Sequence, residues 1–182
     1  MKLNKLIAIA TISLLSGGIS MAQKALNLED IVAGNVIQTK GVGSMTWLKD
    51  GERYSRLENN KQTGGTDIVA YQAKDNSREV IIPSSLLTDK STGKPIPVRS
   101  ISWSADNEKV LIYNNTQRVW RYDTRGNYWV LNLKDGALRQ LGKGMPESSM
   151  MFAKFSPDGT RVAYVSNNNI YVEDIDSGKI TA

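Results

Sequence analysis

A chain of 182 residues, 40% of them hydrophobic and 23% charged, is long enough to bury a core and has too many apolar residues for a disordered segment. It contains no histidine and no cysteine, which excludes a Ser-His-Asp or Cys-His arrangement, a disulfide and a cysteine zinc site within this sequence. The formal net charge is +5, with lysines and arginines scattered among acidic residues, so nucleic acid is not an expected partner. Paired carboxylates remain a formal route to acid/base chemistry, but no Asp or Glu pair is marked for it.

The first element is an address. Lys2 and Lys5 precede an apolar run from Leu6 to Leu15, and Ser20 and Ala22 place small residues before a cut ahead of Gln23. The run is short for a membrane span, so residues 1–22 read as a secretory signal peptide, with an uncleaved signal anchor as the alternative. Loss of Lys2 and Lys5 takes the charge from +5 to +3. The expected location is therefore export, to the periplasm or the cell surface. Residues 23–45 form a lead-in segment, in which "NLEDIV" suits one short helical turn started by Asn27.

From residue 46 to 182 a pattern recurs three times. Each copy opens on an aromatic, Trp47, Trp103 or Phe155, and a short polar turn follows: Lys49-Asp50-Gly51, Ala105-Asp106-Asn107 or Pro157-Asp158-Gly159. Asp, Asn and Gly suit such turns because they tolerate positive φ. An apolar or alternating strand comes next, such as "KVLIYN" or "RVAYVS". A second hairpin closes each copy at Lys74-Asp75-Asn76, Lys134-Asp135-Gly136 or Asp176-Ser177-Gly178. Tyr54, Tyr113 and Tyr164 fall at matching places and are expected to pack with the aromatic starts.

The aromatic starts lie 56 and 52 residues apart. Four short strands and their turns need roughly 40–50 residues, the size of a propeller blade. A sheet with apolar residues on both faces must stack against neighbours. The expected fold is all-β: a partial β-propeller of about two to three four-stranded antiparallel blades, with a β-sandwich as the competing architecture. Segments 59–65, 114–126 and 167–169 read as insertions between strand pairs, and 84–98 as a connecting loop.

"FSPDGTRVAYVSNNNIYVEDIDSGKIT" resembles the propeller repeat of the prolyl oligopeptidase superfamily. "NNTQRVWRYDTRGNYWVLNL" resembles the second-blade region of the dipeptidyl peptidase IV family, whose x-W-R segment stands here as Val119-Trp120-Arg121 ahead of Tyr128-Trp129. "SMTWLKDGERYSRLE" fits the family's first blade and "ALNLEDIVAG" its helical lead-in. The resemblance covers essentially all of the chain after the leader. It implies the truncated N-terminal part of an eight-bladed ring joined to a C-terminal α/β-hydrolase domain in the same parent chain. It also implies a secreted or periplasmic serine exopeptidase that releases X-Pro or X-Ala dipeptides from free N-termini, as a homodimer and with no cofactor.

The same resemblance assigns a substrate carbonyl to Arg121, a residue whose fixed donors and permanent charge suit that task. Trp120 and Tyr122 flank it as substrate-binding candidates that wall the cavity or cover the blade edge. The bland alternative for Arg121 is a surface arginine paired with Asp123 or with a Glu elsewhere. No catalytic residue is assigned: the Ser, Asp and His of the hydrolase domain lie outside this sequence, as does the family's acidic amine-binding pair. Glu173 and Asp174 sit inside a strand pair and receive no such role. Asp158-Gly159 is a turn rather than a metal loop. Asn114-Asn115-Thr116 matches a glycosylation pattern, which the bacterial style of the leader sets aside. A non-enzymatic envelope propeller that binds a protein or glycan is the alternative function.

Overall fold

The computed structural model describes residues 27–32, 41 and 43–182; the expected signal peptide, residues 1–22, lies outside them. Two compact units divide the chain after Val42. In the first, helix α1 (Leu28–Val32) forms at the expected place, its first turn closed by Ile31 N–H donating to the Asn27 carbonyl at 3.3 Å.

The second unit is three successive antiparallel meanders, each a four-stranded sheet in sequence order. Blade 1 holds β1 (Thr46–Trp47), β2 (Arg53–Asn59), β3 (Thr66–Gln72) and β4 (Arg78–Ile82). A small two-stranded hairpin follows, β5 (Thr88–Asp89) with β6 (Lys94–Pro95). Blade 2 holds β7 (Ser100–Trp103), β8 (Lys109–Val119), β9 (Tyr122–Asn132) and β10 (Leu138–Gln140). Blade 3 holds β11 (Met151–Phe155), β12 (Arg161–Ser166), β13 (Asn169–Asp174) and β14 (Ile180–Thr181).

Period-two alternation explains the stacking. In β8, Val110 and Ile112 face one way and join Ile68, Ile82, Leu87, Ile96 and Leu131 in a core between blades 1 and 2. Leu111 faces the other way and joins Tyr128, Val130, Val162 and Tyr164 in a core between blades 2 and 3. Val110 and Ile112 are wholly buried and Leu111 nearly so. Full burial of such a side chain stabilises the fold by about 1.5–3 kcal/mol, and blade 2 obtains this on both faces only because it has a neighbour on each.

The repeated residues take repeated places. Tyr54–Tyr71, Tyr113–Tyr128 and Tyr164–Tyr171 are cross-strand partners in the middle strands of the three blades, and each pair is stacked, with ring centroids 5.5, 4.8 and 5.9 Å apart. Trp47, Trp103 and Phe155 each end the first strand of a blade. Trp103 packs against the seam with blade 1 and donates from Nε1 to Ser55 Oγ at 3.0 Å. Trp47 departs from the expected packed role. It meets Tyr54 edge-on but is 61% exposed, because no described blade covers its side of blade 1.

The turns follow the expected chemistry. Asp158 Oδ1 accepts from Ser156 Oγ, Thr160 N–H and Thr160 Oγ1, and these donors hold its carboxyl down to about 2. Asn167 and Asn168 join β12 to β13 with φ of 48° and 61°, the two positive values that a two-residue type I′ hairpin requires.

Two expected loops are structured. Segment 84–98 contains a 3₁₀ turn, Ser84–Leu87, and the β5–β6 hairpin, and it is pinned because Leu87 and Ile96 are buried in the first core. Segment 114–126 is not a loose insertion: β8 and β9 continue through it as a projecting hairpin, here called the arm.

Candidate functional site

No residue of the arm joins either core, so its order must come from the ladder and from its root. The ladder pairs Gln117 with Arg125, Arg118 with Asp123 and Val119 with Tyr122, with register shifts around Gln117. At the root, the Tyr113 hydroxyl faces the carbonyls of Asp123 and Arg125, at 3.0 and 2.9 Å. Burial, with Tyr128 and Asp123 nearby, pushes this phenol up to about 12, so it stays protonated and can donate across the physiological range.

Gly126 lets the arm leave the blade. A Cβ there would stand 2.4 Å from the Tyr113 ring and 2.6 Å from the Asn114 carbonyl oxygen. Gly126 also exchanges both backbone hydrogen bonds with Met150, at 3.0 and 3.2 Å, which ties the root to the start of blade 3. Asn115, at φ 44°, donates to Glu147 Oε1 at 2.6 Å, and its carbonyl accepts from Ser148 Oγ at 2.7 Å. The neighbouring Asn114 of the glycosylation pattern is only 5% exposed, a poor place for a sugar.

Trp120 and Arg121 form the two-residue tip, between Val119 and Tyr122. Trp120 has φ of 62°, at the first of two hairpin positions where a type II′ turn favours glycine. A bulky residue there is strained. Trp120 is 94% exposed and Tyr122 73% exposed, so neither covers the blade edge. Arg121 is exposed too, and it makes no ion pair or hydrogen bond among the described residues. Of its alternative surface partners, Asp123 pairs instead with Arg99 at 3.2 Å, and no Glu among the described residues pairs with Arg121. The tip therefore presents an exposed Arg121 flanked in sequence by the exposed Trp120 and Tyr122, with Arg118 and Arg125 also exposed on the arm. Such a guanidinium can hold an electron-rich oxygen.

Glu173 and Asp174 are both occupied. Glu173 is 2% exposed; its Oε2 accepts from Gly142 N–H at 2.8 Å and Tyr164 OH at 3.1 Å, and its Oε1 from Arg139 Nη2 at 3.1 Å. It clamps blade 2 to blade 3. Asp174 Oδ1 accepts from Ser177 N–H and Oγ in the last turn. Among the described residues no three His, Cys, Asp or Glu side chains gather to hold a metal ion. Sequence reasoning singled out residues 120–122 without placing them at a hairpin tip, and it missed the root, since Tyr113 read as one more packing tyrosine and Gly126 as one more loop glycine.

Stacked four-stranded meanders with cores at both seams define a segment of a β-propeller. The Porphyromonas gingivalis dipeptidyl peptidase 4 structure shares this fold, with a TM-score of 0.67 and 21% identity over 87% of this chain and 22% of that one. Residues 104–182 match the family model for the dipeptidyl peptidase IV N-terminal region. Relatives include a probable dipeptidyl-aminopeptidase B of Aspergillus terreus, 24% identical over 91% of this chain and 19% of its own length. The dipeptidyl aminopeptidase B of Saccharomyces cerevisiae is 28% identical over 78% of this chain and 17% of its own length. These matches make the chain similar to the N-terminal propeller region of the dipeptidyl peptidase IV family. The chain spans about a fifth of the length of these curated relatives.

Proposed function

We propose that this chain is the N-terminal propeller portion of an exported serine exopeptidase that releases X-Pro or X-Ala dipeptides from free N-termini. The propeller admits the peptide, and Arg121 holds one of its carbonyls. The observation that carries this reading is the unpartnered Arg121 at the tip of a hairpin whose root is fixed by Tyr113 and Gly126. A guanidinium left without a protein partner has its donors available to a peptide oxygen, and a fixed root keeps them in register. Trp120 and Tyr122 would lie along the bound peptide. The nucleophile, its histidine base and the acidic amine-binding pair belong to other parts of the same parent polypeptide, which acts as a homodimer in the periplasm or at the cell surface.

The test is steady-state kinetics of the whole protein on an X-Pro chromogenic substrate. Arg121→Ala is expected to lower kcat/KM about tenfold to a hundredfold, the loss of one charged hydrogen bond, with the melting temperature unchanged. Arg121→Lys should restore only part, because an ammonium lacks the planar fork. Unchanged kcat/KM in the Ala variant removes Arg121 from the site. A wild-type protein without X-Pro release favours the non-enzymatic propeller instead.

A further inference from the structure

A cleft of about 610 Å³ lies at the seam of blades 2 and 3, between the loop that follows β10 and the turn that precedes β14. Its volume falls in the range of ligand pockets, about 300–1,000 Å³. Nothing in the proposed exopeptidase reading uses it.

One wall is the run Gly142-Lys143-Gly144. Gly142 and Gly144 have φ of 72° and 87°, while Lys143 between them keeps a negative φ. Alternating handedness of this kind turns successive backbone N–H groups to one side, a concavity that takes anions. The run already holds one anion: Gly142 N–H donates to Glu173 Oε2 at 2.8 Å. The next two N–H groups, of Lys143 and Gly144, have no protein partner among the described residues.

The side chains of the cleft add positive charge. Arg139 uses one nitrogen only: Nη2 donates to Glu173 Oε1 and to the Asp174 carbonyl, both at 3.1 Å. Its Nε is buried without a partner, and its Nη1 has none among the described residues. A Cβ on Gly178 would stand 3.1 Å from Nη1, so the glycine leaves that nitrogen room. Lys143 is exposed and its ammonium makes no ion pair or hydrogen bond among the described residues. Glu173 is the carboxylate that lines the cleft; both its oxygens accept, and Arg139 offsets its charge. Ser177 Oγ donates to Asp174 Oδ1 and accepts from Lys179 N–H. Gln140 has a free carboxamide, whose amide end can turn to an anion. The charge left uncompensated is that of Lys143. Open donors of three kinds remain: an ammonium, a guanidinium nitrogen and two backbone N–H groups. A carboxylate has two oxygens for them, whereas a phosphate group has three or more strong acceptors and the greater charge.

We propose that this cleft is an oxyanion site, which takes the phosphate group of a free or an organic phosphate. The experiment is calorimetric titration of the whole protein with inorganic phosphate, phenyl phosphate and acetate, in chloride buffer of fixed ionic strength. The wild type is expected to bind phosphate saturably and acetate at least about tenfold more weakly. Lys143→Gln should weaken phosphate binding by at least about tenfold, the loss of one charged hydrogen bond. Its melting temperature without phosphate should match the wild type, because the Lys143 side chain holds no other residue. Lys143→Arg keeps the charge and should stay within about threefold of the wild type. Tighter binding of phenyl phosphate assigns the site to a phosphate carried on an organic body, and tighter or equal binding of inorganic phosphate assigns it to the free ion; both support the site. Binding is read without turnover, so this proposal and X-Pro release fail separately. No saturable binding by the wild type, equal affinity in Lys143→Gln, a loss in Lys143→Arg as large as in Lys143→Gln, or acetate bound as tightly as phosphate overturns it.

Discussion

Replacing Glu173 by Ala removes the hub of the seam between blades 2 and 3. Three donors converge on its carboxylate: Arg139 Nη2, Gly142 N–H and Tyr164 OH. They do not suffer equally. The Arg139 side chain is 34% exposed and can turn to water, so its loss is discounted. Gly142 N–H and Tyr164 OH lie at buried residues and cannot. A buried donor left unpaired costs about 1–3 kcal/mol, and removing one partner of a buried ion pair costs about 3–5 kcal/mol. The partial exposure of Arg139 places Glu173→Ala at the lower end, about 3 kcal/mol. Glu173→Gln keeps one acceptor and the volume, and should lose about half as much. The assay is urea denaturation of the whole protein followed by tryptophan fluorescence, with amide exchange at Gly142 as the local readout. A Glu173→Ala protein within about 0.5 kcal/mol of wild type, or a Gly142 amide that exchanges no faster, would refute the reasoning, since surface substitutions stay within that range.

The first-hairpin turn of blade 3 sets a pH response. Asp158 is held down to about 2 by Ser156 and Thr160, below the ordinary value of 3.8, so the stability it lends is present above pH 3.8 and is lost as pH falls through about 2. Carboxyl NMR should find that midpoint, and Ser156→Ala should move it up toward the ordinary value; an unmoved midpoint would exclude the Ser156 hydroxyl as the main cause. Export should cut the chain before Gln23, which N-terminal sequencing of the exported protein checks; a mature terminus at Met1 would contradict it.

The blades were legible because their signals are local. An aromatic at the end of the first strand, an Asp-Gly or Asp-Asn turn and an alternating strand are each specified within about ten residues. Asn76, Gly136 and Gly178 take positive φ in the second turns, as their residue types suggest. The arm was misread because Asn115, Thr116, Gln117 and Arg118 carry no apolar alternation. They form a strand through a distant tyrosine, a crowded glycine and the register of the partner strand, and a sequence prints none of these. The exposure of Trp47 was likewise hidden, since the repeat marks a packing position without saying whether a neighbour covers it. The same limit applies to Asn114, which read as half of a glycosylation pattern and is buried beside its cross-strand partner Asn127 of β9.

The arm is a lever. From Asn114 to Val119 it extends roughly 15 Å at strand rise, so a tilt of about four degrees at the root carries the tip by about 1 Å. A displacement of that size is enough to slow a positioned reaction about a hundredfold. Where other recognition loops rely on packing along their length, this one concentrates its stiffness in one phenol, one glycine and one pair of backbone bonds to Met150. The guanidinium at the tip can then be moved from a distance: changes that never touch Arg121, made where the arm meets the blade, are geometrically amplified at the tip.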